Sequence, residues 1–126
     1  MIDEYCIGDT KRISPEAPVP ILQPKENKFV AGGASNVAAN LANLGIKTDL
    51  GSIIGNDTNG IKLAKQITNA KVNFKYKVID KSIPTTHKKR LIANSQQIIR
   101  VDNEKLVSSE ISEHFSQIII KDIKEY

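Results

Sequence analysis

The pattern of apolar and polar positions predicts two extended segments near the start of the chain, at 5–13 and 19–30. The stretch KRISPEAPVPI, Lys11 to Ile21, joins them and holds three of the five prolines. Because proline lacks an amide hydrogen and fixes φ, this stretch cannot be a helix interior or a central strand. We therefore expect a stiff, half-apolar connection between two strands.

Apolar residues at helical spacing predict three helices. The first covers 31–45, with Val37, Leu41 and Leu44 on one face that Ala38 and Ala42 widen, and Gly32-Gly33 stand just before its start. The second covers 56–70, with Ile61, Ala64 and Ile67 on one face and Asn56, Asp57 or Thr58 as its N-cap. The third covers 108–126, although QIIIKDI within it could instead be a strand.

Further strands are predicted at 47–55 and 73–80, and a hairpin at 86–102 with its turn at Asn94-Ser95. The order of elements is strands, helix, strand, helix, strand, hairpin, helix. This order indicates an α/β fold with a partial parallel sheet. The additional strands alternate in polarity, which predicts a second, antiparallel layer exposed on one face.

Composition narrows the function classes. The 126 residues suffice for one domain, and 40% hydrophobic with 25% charged residues argues against disorder. No apolar run approaches the roughly 20 residues that cross a bilayer, and the first residues, MIDEY, do not resemble a signal peptide. A single cysteine, Cys6, allows no internal disulfide and fits a reducing cytoplasm.

The net charge of +4 and the pI near 9.2 raise the question of nucleic-acid binding. The lysines are dispersed, however, and only 5% of residues are aromatic, whereas base-stacking surfaces interleave aromatic with basic residues. We expect no nucleic-acid partner, and an anionic small molecule explains local basic residues equally well.

Gly32-Gly33 before a helix is the clearest chemical signal. Glycines let the backbone approach a ligand closely, and the free amides of a helix start favour anions or hydroxyl oxygens. Asn36, one turn further, can donate and accept hydrogen bonds to a sugar. A tight turn with Asn36 facing solvent is an equal alternative. The segment is neither a Walker A loop nor GxGxxG.

Three cations lie on the predicted hairpin. Lys88 and Arg90 share one face of a strand, and Arg100 lies opposite or diagonal to them. Together they could hold a phosphate, although composition alone favours a solvated basic face. Asp3 is a lone carboxylate that composition alone makes a surface residue. His87, His114 and Cys6 have no partners at metal-ligand spacing, so no metal site is predicted.

Several segments resemble one family. They are MIDEY (1–5), RISPEAPVP (12–20), GGASNVAANLANLG (32–45), GSIIGND (51–57) and PTTHKKRLIANSQQIIRVD (84–102). These segments resemble the amino-terminal part of the D-glycero-β-D-manno-heptose-7-phosphate kinases, within the ribokinase-like (PfkB) carbohydrate kinase family. The resemblance covers nearly the whole chain and is weak only over the last twenty or so residues.

The resemblance implies the amino-terminal part of a ribokinase-like fold, a partial kinase domain over 1–126. It assigns lid strands to about 5–30 and 73–102 and an α/β core to about 31–72 and 103–126. Lids of this family often carry the dimer interface, so the resemblance implies a homodimer. The apolar residues of the proline-rich stretch would pack within the lid or against a partner subunit.

The resemblance also implies site residues. Asp3 is similar to the family aspartate that binds sugar hydroxyls, and Gly32, Gly33 and Asn36 resemble the glycine turn and asparagine of the sugar pocket. The hairpin residues that would face the substrate are Lys88, Arg90, Gln97 and Arg100. The implied ligand is a sugar phosphate, D-glycero-D-manno-heptose 7-phosphate.

The full enzymes of this family transfer the γ-phosphoryl group of ATP, with Mg²⁺, to the anomeric hydroxyl in ADP-heptose and lipopolysaccharide core synthesis. The family's glycine-aspartate pair would precede Met1, and the GAGD-type motif with the catalytic aspartate does not occur in these residues. We therefore expect a fragment that is inactive alone, binds ATP and Mg²⁺ poorly, and contains no catalytic residue. The alternative is a non-catalytic remnant or a self-associating sugar-phosphate-binding module.

Overall fold

The computed structural model describes residues 1–123, which form six strands and three helices. The elements are, in order, β1 (Ile2–Ile13), β2 (Pro20–Ala31), α1 (Ala34–Asn43), β3 (Asp49–Gly55), α2 (Thr58–Asn69), β4 (Asn73–Asp80), β5 (His87–Ala93), β6 (Gln96–Asn103) and α3 (Ser109–Ile123). The predicted α/β class and the order of elements are confirmed.

A four-stranded sheet contains β2, β1, β5 and β6 in that order. β1 is antiparallel to β2 and parallel to β5, and β5 forms an antiparallel hairpin with β6. Asn94 and Ser95 turn the hairpin with positive φ angles of 50° and 67°, as the sequence predicts for the turn. The proline-rich connection is closed by a hydrogen bond from the Ser14 amide to the Val19 carbonyl, at 2.8 Å.

A second sheet pairs β3 with β4 in parallel. The sequence-based division grouped 73–80 with the lid strands, and the structure differs there, because β4 hydrogen-bonds to β3 and not to the four-stranded sheet. One face of β3 packs against α1 and α2 in the core formed by Ala38, Leu50, Ile54, Leu63, Ile67 and Val72. The other face packs against α3, where a Cβ on Gly51 would lie 3.1 Å from the Phe115 ring.

The helices exist where predicted, but the predicted apolar faces of α1 and α2 are only partly buried. On α1 the buried residues are Ser35 and Ala38, so the small side chains contact the sheet. The large residues of the predicted apolar stripe are exposed, with Val37, Leu41 and Leu44 at 58%, 37% and 77%. On α2, Ile67 is buried as predicted, whereas Ile61 faces solvent and Leu63 replaces it in the core.

The third predicted helix is confirmed through Ile123, and the alternative strand at QIIIKDI is wrong. The last predicted residues of this helix, 124–126, lie outside the described part of the chain. Among residues 1–123, no helix combines the length and apolar character that a membrane crossing requires. Cys6 is a buried free thiol on β1.

Candidate functional site

Asp3 lies near the start of β1, the strand between β2 and β5, and only 8% of its surface is exposed. Its Oδ1 atom accepts a hydrogen bond from Arg90 Nη1 at 2.5 Å. Its Oδ2 atom lies so close to Gly32 that a Cβ there would come within 2.0 Å of it. Glycine at position 32 is therefore what makes room for the carboxylate.

The glycine turn leads directly from Asp3 into α1. The Gly32 amide donates to the Met1 carbonyl at 3.0 Å, which fixes the turn beside β1. Gly33 is the N-cap residue of α1 with φ 58°, a conformation that costs an L-residue steric strain. The first amides of a helix have no intrahelical acceptor, so this helix start presents hydrogen-bond donors beside Asp3. The Asn36 side chain is exposed one turn into the helix.

The hairpin cations face carboxylates. Lys88 Nζ lies 3.1 Å from Asp102 Oδ2 and 3.5 Å from Glu104 Oε2. Arg100 contacts Asp102 through two atoms, with Nε 2.8 Å from Oδ1 and Nη2 3.0 Å from Oδ2. The Lys88 and Arg100 contacts lower the pKa of Asp102. The hairpin therefore presents a mixed, internally paired surface where the sequence suggested three cations alone.

Strand register shows which side chains share a face, because residues opposite each other in adjacent strands point to the same side. Asp3 is opposite Lys88, which is opposite Asp102. Tyr5 is opposite Arg90, which is opposite Arg100, so the prediction that Arg100 lies across from the β5 cations is confirmed. We call this surface the basic face of the four-stranded sheet.

Arg90 connects the parts of the basic face. Its guanidinium lies 5.3 Å from the centre of the Tyr5 ring, within the range of a cation–π contact. The hydrogen bond to Asp3 raises the pKa of Arg90. Tyr5 could not be identified as a site residue from the sequence, because only the register of β1 with β5 places it beside Arg90.

Gln97 lies at the turn end of the hairpin. It lies opposite Ile92 near the hairpin turn and is exposed. Along β5, Ile92 is two positions from Arg90 and four from Lys88, which is about 7 Å and about 13 Å at the rise of an extended strand. The structure thus brings Asp3, Gly32, Gly33 and Arg90 together and holds Lys88 and Arg100 beside them through Asp102. Gln97 and the Asn36 side chain are exposed, and among residues 1–123 no side-chain hydrogen bond or ion pair joins them to this group.

A second polar cluster lies on the opposite face of the sheet and was not predicted. Glu4 is 5% exposed, and its carboxylate lies 3.0 Å from Lys89 Nζ and 2.8 Å from His87 Nε2. Burial alone would raise the pKa of Glu4, but hydrogen bonds from Lys89 and Asn27 outweigh it and hold the pKa below its usual value. These contacts fix β5 against β1 from behind the basic face.

Asp57 joins the start of α2 to the segment that leads into β5. Its Oδ1 caps the helix by accepting from the Gly60 amide at 2.7 Å, and its Oδ2 accepts from the Thr85 amide at 2.8 Å. The Thr85 hydroxyl is buried and accepts from the Gly55 amide at 3.0 Å. Burial would raise the pKa of Asp57, but the backbone donors lower it. Of the three predicted N-cap residues, Asp57 is the one used.

Metal-binding residues are not grouped in the part of the chain that the structure describes: no three histidine, cysteine or acidic side chains there are placed to hold an ion. On the basic face, Asp3 and Asp102 instead pair with lysine and arginine.

Comparison with known proteins identifies relatives along the whole chain. Residues 1–124 match the family described as pfkB family carbohydrate kinase. The chain is 43% identical over its full length to "Bifunctional protein HldE" of Sulfurimonas denitrificans, and 39% identical to that of Nitratiruptor sp.. It spans 27% of the length of each of these proteins, so it is about a quarter as long as the curated relatives it matches.

Solved structures share the fold at low sequence identity. A sugar kinase structure from Clostridium perfringens superposes with a TM-score of 0.67 at 16% identity, covering 93% of this chain and 37% of that one. An Arabidopsis thaliana ribokinase, whose structure is described as complexed with ribose and ATP, superposes with a TM-score of 0.64 at 19% identity. That match covers 89% of this chain and 38% of the ribokinase.

Proposed function

The chain belongs to the pfkB family of carbohydrate kinases, and from this premise we propose that it is the sugar-binding and lid portion of a kinase acting on D-glycero-D-manno-heptose 7-phosphate. The reaction would move the ATP γ-phosphoryl group to the anomeric hydroxyl of the sugar. The name HldE of the relatives supports the heptose. The product would feed ADP-heptose and lipopolysaccharide core synthesis in the cytoplasm.

The observation that carries the proposal is the arrangement of Asp3. A carboxylate accepts hydrogen bonds only, which suits it to sugar hydroxyls. Asp3 is fixed on one side by Arg90 and on the other by Gly32, next to the start of α1. A pre-fixed acceptor beside backbone donors loses little entropy when a polyol binds. These groups would hold and orient the sugar without supplying the base of the transfer.

The lid role is proposed for β1, β2, β5 and β6, whose basic face would cover the sugar. The substrate's phosphate is matched by the cations of that face, which can bind a phosphate through charge-assisted hydrogen bonds. ATP and Mg²⁺ belong to the proposed whole enzyme. Because no acidic cluster is present within residues 1–123, we assign no residue of this chain to a metal ion.

A homodimer through the lid strands is part of the proposal. Glu4 lies on the side of the sheet opposite the basic face. At the end of that side distant from Glu4, the surface is apolar and open to solvent. It contains a cavity of about 280 Å³ lined by Thr10, Val19, Pro20, Leu22, Leu91, Ile98 and Ile99. We call it the apolar face. Burying such a surface against a second copy of itself would give a two-fold symmetric dimer.

The second candidate function is a non-catalytic module that binds a sugar phosphate or self-associates. The exposed apolar face favours this second candidate, because that surface could bind a second copy of the chain without catalysing any reaction. The two candidates share the binding site, and both predict no turnover by these 126 residues alone. A downstream segment that encodes a GAGD-type motif would favour the kinase portion over the non-catalytic module.

The test measures binding and turnover on the same preparation. Titration calorimetry of the 126-residue chain with heptose 7-phosphate should show binding, and Asp3→Ala should weaken it at least tenfold. ADP release with ATP, Mg²⁺ and heptose 7-phosphate should be absent from the chain alone and present in a complete family member. Binding that is indifferent to Asp3 would contradict the site. Sugar-dependent turnover by the chain alone near the control's rate would contradict the expected inactivity.

A further inference from the structure

Lys28 occupies an unassigned position on the basic face. It lies on β2 opposite Tyr5, so Lys28, Tyr5, Arg90 and Arg100 form one row across all four strands. The adjacent row contains Val30, Asp3, Lys88 and Asp102. Only the register reveals this placement, because β2 is far from β5 and β6 in the sequence.

Charge pairing distinguishes Lys28 from the other cations of this face. Arg90 contacts Asp3, and Lys88 and Arg100 contact Asp102. No ion pair joins Lys28 to any carboxylate of residues 1–123, although Glu26 lies two positions along β2 on the same face. Lys88 and Arg100 share Asp102, and Glu104 adds a second carboxylate beside Lys88, so Lys28 is the cation of the two rows with which no carboxylate of the described residues pairs.

The space beside Lys28 is open. A cavity of about 250 Å³ is lined by Tyr5, Ile7, Lys28 and Val30. Lys28 is the diagonal neighbour of Asp3 across β1 and β2, a separation of about 7–8 Å between such positions. A sugar whose hydroxyls contact Asp3 therefore has room beside the Tyr5 side chain for its terminal carbon, within reach of Lys28.

We propose that Lys28 binds the terminal phosphate of the sugar phosphate held by Asp3, and that it selects phosphorylated over unphosphorylated sugars. The inference rests on the proposed function, since it deepens the substrate specificity of the same site. A lysine ammonium suits this role because it supplies a full charge and three donors on a flexible stem. Arg90 and Arg100 are already hydrogen-bonded to carboxylates. They would attract the phosphate through their positive charge more than through direct hydrogen bonds.

The experiment compares two ligands and three variants of the 126-residue chain. Calorimetry measures the affinity for D-glycero-D-manno-heptose 7-phosphate and for D-glycero-D-manno-heptose. Lys28→Met should weaken binding of the phosphorylated sugar about 10- to 100-fold, the effect of losing one charged hydrogen bond, and leave the unphosphorylated sugar unchanged. Lys28→Arg should retain most of the affinity. Lys65→Met makes the same charge change at an exposed site on α2 and should change neither affinity.

Each other outcome decides against a specific claim. Equal binding of the phosphorylated sugar by Lys28→Met and the wild type would overturn the role of Lys28 and leave the proposed function standing. Equal wild-type affinity for the two sugars would overturn the selectivity. Failure of the wild type to bind either sugar would overturn the proposed function, and the role of Lys28 with it.

Discussion

Arg90 on β5 reaches back two positions along the sheet to Asp3 on β1, and the two side chains meet at 2.5 Å between Nη1 and Oδ1. Both are largely buried, with 20% and 11% of their side chains exposed. The pair links two strands whose positions in the sequence are 87 residues apart. Asp3 and Arg90 therefore belong to the candidate sugar site and also hold β1 and β5 together in the four-stranded sheet.

The Asp3–Arg90 pair should couple energetically. Asp3→Asn and Arg90→Met should each lower the free energy of unfolding by about 1.5–3 kcal/mol, because each leaves a charged partner without its hydrogen bond. The double variant should cost less than the sum. Urea denaturation of all four proteins gives the coupling energy. Additivity within about 0.5 kcal/mol would mean that the two groups do not interact in solution.

Gly32→Ala should impair sugar binding in addition to stability. Its Cβ would come within 2.0 Å of Asp3 Oδ2, so the carboxylate must move away from Arg90. We expect at least a tenfold loss of heptose 7-phosphate affinity by calorimetry. Gly45→Ala is the matched control, because Gly45 has φ 82° and nothing within 4 Å of the added Cβ. It should lose about 1–2 kcal/mol of stability through backbone strain and keep its affinity. Identical behaviour of the two variants would contradict the role of Gly32.

Asp57 should make the fold acid-sensitive. Its folded pKa is lowered, so the stability that it contributes is present above its unfolded pKa of about 4 and is lost as pH falls through the folded value. Asp57→Asn keeps one acceptor and should cost about 1–2 kcal/mol at pH 7. Its melting temperature should fall less between pH 6 and pH 3 than that of the wild type.

Glu113→Gln is the control for Asp57→Asn, because it removes the same charge from an exposed residue of α3. Its melting temperature should follow the wild type at every pH. If Asp57→Asn also followed the wild type across this range, the acid sensitivity would have to reside elsewhere.

The apolar face should mediate self-association. Ile99→Glu places a charge in that surface and should shift the chain toward monomer, as measured by light scattering coupled to size-exclusion chromatography at high micromolar concentration. Ile61→Glu, on the exposed side of α2 at 72% exposure, should leave the association unchanged. A monomeric wild type at these concentrations would count against the dimer.

The helices, strands and turns could be predicted from the local sequence, because the spacing of apolar residues and the residue types that favour turns are determined within a few positions. The hairpin at Asn94-Ser95 and the N-cap Asp57 are of this kind. On α1, Ala38 and Ala42 belong to the predicted apolar stripe and do contact the core. Which side of the stripe is buried could not be predicted, because Val37 and Leu41 have the stronger apolar signal and the close approach of the helix to β3 selects Ala38. The place of β4 in the second sheet likewise depends on a pairing that no local pattern specifies.

The candidate site was predictable in part. The glycine pair and the alternation on β5 marked Gly32, Gly33 and Arg90, and the resemblance supplied Asp3. Glu4, Tyr5, Lys28 and Asp102 were missed because their relevance depends on strand register. A shift of one residue would turn each of these side chains to the other face, and the parallel pairing of β1 with β5 cannot be read from either strand alone.

The central position of β1 has a consequence for synthesis on the ribosome. β2 follows β1 directly and can pair with it at once, whereas β5 begins only at His87. At roughly 5–20 residues per second, the second edge of β1 stays unpaired for several seconds after it emerges. During that interval the nascent hairpin exposes a free strand edge, which is a template for pairing with other chains. Nascent chains stalled after β4 should therefore aggregate, and those extended through β6 should not.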